Sequence, residues 1–335
     1  MATKIINNGN VTIHTVAELA DVSIGTASRA LCNRKGVSNA TRQKVLNVAA
    51  ELRFRHKTLT RTYNIAIVMP PLQELRSYGL WYSAAIYESM CRIVSQRKWG
   101  TQIYDPRNLR ELTDCQFDGI LSQGGMPELI TTSERFKHVP KIDVNGRKGQ
   151  PWWVVQTNHK QGGYQAGRLL IEAGHKRIAM LTSPFHWDTE EREDGVREAM
   201  LDSGLNPADL IIFRTGRGDW DNGLGRVIAS KPTALFIGFE DLTLFVQSRI
   251  VAKYKMRVPE DISVVGFHIP GISDLHYPVF TSIEQPFDFL AEKAVEQLER
   301  LMATGVPAKP KTISIDNKIW LGQSVGAVSS TVNDI

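Results

Sequence analysis

The chain has 335 residues, 42% hydrophobic and 22% charged, which is the balance of an ordinary soluble globular protein and too long for one domain of ~100–200 residues. No run approaches the ~18 apolar residues of a membrane span, and MATKIINNGN lacks a signal peptide's apolar core, so a cytoplasmic protein without membrane contact is expected. The +5 formal charge is uneven: residues 1–62 carry ten Lys or Arg against three Asp or Glu, a balance of +7, and the remaining 30 basic and 32 acidic residues come to −2.

In chain order, Val16, Ala17, Leu19 and Ala20 mark a short amphipathic helix, followed by a turn at Asp21-Val22-Ser23. Ser23 is placed to cap a second helix running to about Leu31, and VSNATRQKVLNVAAEL supplies a third. The second helix offers Ile24, Gly25, Thr26, Ser28 and Arg29, which are short side chains plus one forked donor, suited to close approach in a major groove. A plain three-helix bundle with a solvated polar face has the same pattern. The concentrated positive charge favours a DNA-binding helix-turn-helix, because phosphate neutralisation supplies most sequence-independent affinity. The segment Arg53 to Thr62 is basic and reads either as a tether to phosphate or as a carrier of a minor-groove wedge at Leu59.

From residue 64 the pattern alternates strands with helices. Strands are expected at Asn64–Met69, Thr101–Tyr104, Asp118–Leu121, Val139–Val144, Trp153–Val155, Arg177–Leu181, Leu210–Phe213, Ala234–Ile237 and Ile262–Val265. Helices are expected near Trp81 to Arg97, 161–173, 190–203, 221–229, 241–255 and 287–303. That beat means parallel sheets covered by helices, in two α/β subdomains split near Gln156, with ligands at the carboxyl ends of strands in the cleft between them. Cys32, Cys91 and Cys115 are dispersed without a CxxC pair, so neither disulfide nor metal nor other cofactor is expected. There is no P-loop, HExxH or GxSxG, and Gly216-x-Gly218 and Gly223-x-Gly225 do not follow strands, which argues against an enzyme.

Several motifs in register resemble the LacI/GalR family of bacterial transcription regulators. Val16, Ala17, Ala20, Val22, Ser23, Thr26, Ser28 and Arg29 match its VAxxAxVSxxTxSR, and Val37-Ser38 with Thr41-Arg42 matches VSxxTR. Gly174 to Ala179 matches GHxRIA, Val258 to Phe267 matches VPEDISVVGF, and Thr281 to Pro286 is similar to LTTIxQP. The resemblance covers nearly the whole chain. It implies an α/β protein: an N-terminal three-helix helix-turn-helix domain (1–53), a basic linker (54–63) and a two-subdomain core like a periplasmic binding protein, with parallel sheets (64–335). The N-subdomain is expected at about 64–156 and 287–314, and the C-subdomain at about 157–286 and 315–335.

The family implies a homodimeric repressor or activator that binds operator DNA under the control of a small-molecule effector, without a cofactor. By position, Ile24, Gly25 and Arg29 fall where members contact base edges, and Thr12, Ser23, Thr26, Ser28, Ser38 and Thr41 where they hold phosphates, a division that fits the donors each side chain carries. The linker departs from the pattern. It is short and lacks the Asn-Pro and alanine spacing of the family's hinge helix, so a regular hinge helix is not expected, and Leu59 stands where a wedge would be.

For the effector, Arg192 holds the family's RxxG position before Gly195. The alternative for Arg192 is a surface ion pair among Glu190, Glu191, Glu193 and Asp194. Trp81, Tyr82 and Trp220 match aromatic walls and Asp143 ends a strand beside the cleft, although buried aromatics are commonly core. Phe239-Glu240 replaces Asn-Asp, and His268 replaces an aspartate. His268 with Arg192 favours an anionic effector, a sugar acid or phosphorylated sugar; the alternative is a structural histidine in an altered, vestigial pocket. A ligand-independent DNA-binding regulator and a soluble sugar-binding protein remain as rival functions.

Overall fold

The computed structural model describes residues 11–32, 36–52, 54, 63–69, 80–105, 117–184, 188–305 and 309–328. Leu59 and the linker, apart from Phe54 and Tyr63, lie outside the described residues, as does Cys115. Helices α1 (Ile13–Leu19), α2 (Ile24–Leu31) and α3 (Asn39–Glu51) form the N-terminal bundle. Asp21 in the left-handed region, at φ 52°, turns the chain between α1 and α2. Ser23 and Ser38 then start their helices in the same way, each side chain accepting from a backbone N–H three residues on, at 3.1 Å. The core is built largely of small residues, Ala17, Ala20, Ala27, Ala30 and Ala49 around Val16, Val45 and Leu46, so the helices approach closely; Phe54 closes one end.

Contacts divide the chain into two compact units, Met1–Pro71 with Met90–Val154 and Glu292–Lys311, and Leu72–Ser89 with Val155–Ala291 and Thr312–Ile335. One six-stranded sheet comprises β1 (Asn64–Val68), β2 (Gly100–Tyr104), β3 (Gly119–Gln123), β4 (Lys141–Val144), β5 (Trp153–Thr157) and β11 (Thr312–Ile315), in the order β11-β5-β4-β3-β1-β2. The other comprises β6 (Ile178–Thr182), β7 (Ile211–Arg214), β8 (Ala234–Ile237), β9 (Ser263–His268), β10 (Thr281–Glu284) and β12 (Lys318–Trp320), in the order β12-β10-β9-β8-β6-β7. It lies wholly in the second unit, and β12 runs antiparallel to β10.

The remaining helices are α4 (Leu80–Gln96), α5 (Glu128–Thr132), α6 (His159–Glu172), α7 (Asp188–Asp202), α8 (Trp220–Ala229), α9 (Glu240–Ile250) and α10 (Phe287–Thr304). The second sheet is buried on both faces, so its strands read as continuous apolar runs that split by alternation. Ala179, Leu181, Leu235, Ile237 and Val264 pack with Leu224 and Val227 of α8 and Leu242, Val246 and Ile250 of α9. Their neighbours Ile178, Met180, Ala234, Phe236 and Val265 pack with Ala166 and Leu170 of α6 and Val196 and Met200 of α7. Each such large side chain contributes roughly 1.5–3 kcal/mol.

Helices α6 and α7 meet backbone to backbone. A Cβ on Gly163 would lie 1.9 Å from the Arg192 carbonyl oxygen, and one on Gly195 would lie 2.0 Å from the Lys160 carbonyl oxygen. The helix expected at 241–255 is regular only to Ile250; turns follow, in which Lys253 and Lys255 N–H groups still bond carbonyls four residues back, until Lys255 reverses the chain at φ 57°. The strands β10, β11 and β12 and the short helix α5 were not among the expected elements.

Candidate DNA-reading face and effector site

On α2, Ala27, Ala30 and Leu31 face the bundle, which leaves Ile24, Gly25 and Arg29 exposed at the opposite side. Ile24 is 45% exposed although apolar, and Gly25 adds no side chain, so the first turn of α2 offers a thymine-sized apolar contact and close backbone approach. Thr26 and Ser28 are half-buried beside them. The hydroxyls of Ser23 and Thr26 lie 2.9 Å apart, and those of Ser38 and Thr41 2.7 Å apart. Each pair sits at a helix N-terminus, where backbone N–H groups and dipole favour phosphate. Thr12 is exposed at the start of α1, its hydroxyl 3.4 Å from that of Thr15. Arg42, by contrast, is buried and donates to the Ala30 carbonyl at 3.4 Å, bracing α3 against the end of α2.

The second unit gathers a buried polar cluster at the carboxyl ends of its strands. Arg192 on α7 is 1% exposed. Its guanidinium lies 2.7 Å from the Asp188 carboxylate one turn earlier, donates to the Gly238 carbonyl, and stands 4.1 Å over the Phe267 ring. It also donates to His159 Nδ1 at 3.3 Å, a nitrogen that lies 3.9 Å from the Asp188 carboxylate as well. The surface ion pair weighed for Arg192 does not form. Glu193 instead pairs with Arg197 and Arg214, and Glu190 and Asp194 are exposed.

Glu240, the first residue of α9, is 4% exposed. It accepts from the Gln285 side-chain amide, and Gln285 in turn accepts from the Thr157 hydroxyl at 2.8 Å. Burial pushes the Glu240 carboxyl up to about 7; the Arg192 charge pulls it back only in part, and Asp188 adds to the rise.

The other expected residues are placed differently. His268 is buried and stacked on Trp320, ring centroids 4.3 Å apart, with Asp274 4.0 Å away. Burial lowers its pKa, partly opposed by Asp274 and Glu284, which disfavours its charged form. Trp220, the first residue of α8, is half-buried and sets its ring edge-on to Phe239 and Phe245 against the core. Tyr82 packs edge-on to Phe287, and Trp81 is exposed. Asp143 belongs to the first unit: it is buried, accepts from the Gly125 N–H at 3.1 Å, and burial raises its carboxyl to about 7. Only a glycine fits at 146, where a Cβ would overlap that carboxylate.

A family model described as bacterial regulatory proteins, lacI family, matches residues 12–56, and one for a periplasmic binding protein-like domain matches residues 168–325. The chain belongs to the LacI family. This LacI-family chain is 25% identical over 315 residues to the probable HTH-type transcriptional repressor ExuR of Bacillus subtilis (strain 168), spanning 88% of this chain and 92% of that one. It is similar to the structure of a transcriptional regulator CelR–cellobiose complex, with a TM-score of 0.66 at 25% identity, over 94% of this chain and all of that one. The structure of the lac repressor dimer bound to operator and the anti-inducer ONPF shares the fold, with a TM-score of 0.66 at 20% identity over 95% of this chain and all of that one.

These LacI-family relatives are transcription regulators. Among the described residues no helix is long and apolar enough to cross a membrane. His159, Asp188, Thr157 and Gln285 join the cluster although none was expected in the site. Asp188 carried a readable signal in its i−4 spacing from Arg192 on one helix face, and Gln285 in its place within the Thr281–Pro286 motif.

Proposed function

We propose that this LacI-family member is a sequence-specific transcriptional repressor that binds operator DNA as a homodimer and is controlled by a small carbohydrate-like effector. The observation that carries the reading is the pairing, in one chain, of an exposed α2 face flanked by phosphate-sized hydroxyl pairs with the Arg192 cluster at the strand ends of a binding-protein-like unit. Two α2 helices engage half-sites about one helical turn apart. An effector with unequal affinity for two arrangements of the dimer shifts operator affinity, some 5–150-fold for a coupling of ~1–3 kcal/mol.

The sequence favoured a sugar acid or phosphorylated sugar because it offered His268 and Arg192 as cations. With burial disfavouring a charged His268 and Arg192 committed to Asp188, the charge balance instead favours a neutral, hydroxyl-rich sugar. Fluorescence anisotropy on the protein's own upstream DNA, with neutral sugars, sugar acids and sugar phosphates, tests both parts. A neutral sugar that shifts operator affinity supports the reading, and a shift by acids alone restores the anionic one. A second reading, an operator binder whose pocket is silent, is favoured by the number of protein groups already satisfying Arg192. It predicts tight specific binding that no member of the panel alters.

A further inference from the structure

In the second unit's cluster two carboxyls, Asp188 and Glu240, stand near one guanidinium. Asp188 sits 2.7 Å from Arg192, and His159 Nδ1 lies 3.3 Å from that guanidinium and 3.9 Å from the Asp188 carboxylate. Of the two carboxyls, Asp188 holds the guanidinium and keeps a partly exposed side chain, whereas Glu240 is enclosed. A second buried carboxylate on one guanidinium is not compensated, so the enclosed group takes the proton.

The groups around Glu240 hold it near balance. On α7 the Arg192 charge favours its ionised form and the Asp188 charge opposes it. On its own helix, its backbone N–H favours the anion, and Asp241 follows it. From the segment before α10, Gln285 donates to it without changing charge, and Thr157 at the end of β5 fixes the direction of that amide. His268, turned to Trp320 and Asp274, does not share its proton.

Resting on the carbohydrate reading above, we propose that Glu240 is a proton-linked acceptor in the effector site: sugar hydroxyls bind its ionised form, and binding expels the Glu240 proton to solvent. The regulator then reads effector and acidity together. A carboxylate accepts from two adjacent hydroxyls, whereas the protonated acid competes for acceptors of its own. The free site holds its proton up to about pH 7. A bound sugar lowers that value, so affinity rises with pH up to about 7 and then levels off.

The test joins two measurements on the full-length protein. Infrared difference spectra of ligand-free wild type against Glu240→Gln should show a protonated-carboxyl band at about pH 6 that is gone at about pH 8. Calorimetric titration with glucose, galactose, ribose and cellobiose should give wild-type affinity roughly tenfold tighter at about pH 8 than at pH 6. It should also show proton release that depends on the buffer's ionisation heat, and Glu240→Gln should bind without pH dependence. If that variant does not fold, the wild-type proton count and pH profile carry the same test.

The absence of a titrating carboxyl band overturns the proposal. So does a sugar that binds without pH dependence or proton release, and that result leaves the carbohydrate reading standing. Binding by none of the four sugars removes the carbohydrate reading and the proposal with it.

Discussion

The three-helix bundle and the Arg192 cluster use opposite strategies. The bundle buries a mostly apolar core rich in alanine, with Arg42 as its one braced charge among the described residues, and leaves outside Ile24, Gly25, Arg29 and two hydroxyl pairs, the face proposed to read DNA. The second unit buries its chemistry, and each group there takes its charge and direction from others brought in by the fold. A surface reader is therefore modular, and its residues can be changed singly. A buried cluster is a network in which one substitution changes the state of the rest.

The largest effect expected from that difference is at Arg192. Arg192→Met leaves Asp188 and Glu240 without their cation and should destabilise the core by roughly 3–5 kcal/mol in urea melts; a loss below about 1 kcal/mol would place Arg192 with the surface ion pairs. Arg29→Ala should weaken operator binding by roughly 1–3 kcal/mol and relax specificity at one base position, with the melt unchanged. Equal losses on operator and random DNA in anisotropy titrations would remove its base-reading role. Gly163→Ala forces a methyl into the Arg192 carbonyl and should cost roughly 1–3 kcal/mol of core stability while leaving operator affinity per folded molecule intact. The smallest effect belongs to Ser38→Ala, which removes the α3 cap; about 1 kcal/mol should be lost from the bundle's own thermal transition, and no change there would mean that water replaces the hydroxyl.

The same contrast decides how much was readable beforehand. The bundle's second helix runs Ile24–Leu31 behind Ser23, as local spacing and the cap residue require. The alternating core was readable for the same reason, since buried parallel strands announce themselves as apolar runs. The end of α9 was not, because the helical pattern carries on through turns with i−4 bonds after Ile250 until Lys255 reverses the chain. Nor was β12 (Lys318–Trp320), a short edge strand without an apolar run.

In the candidate site, Arg192 and Glu240 were singled out from their positions, but the partners they take were not. The acidic residues considered for Arg192 were its nearest neighbours in sequence, and the one that holds it is Asp188, a full turn back. His159 carries no local signal and Gln285 stood only as the glutamine of the Thr281–Pro286 motif, because both reach the cluster from other elements. Trp220 looked the same from sequence whether it faced a ligand or Phe239 and Phe245.

The backbone contact of Gly163 and Gly195 has a consequence for how this protein can change. It welds α6 and α7 into one slab and fixes where the Arg192 backbone sits. On the proposed effector reading, a new ligand preference is reached not by sliding that arginine but by replacing what surrounds it, so selection for altered specificity should leave the two glycines untouched while varying Glu240 and Gln285.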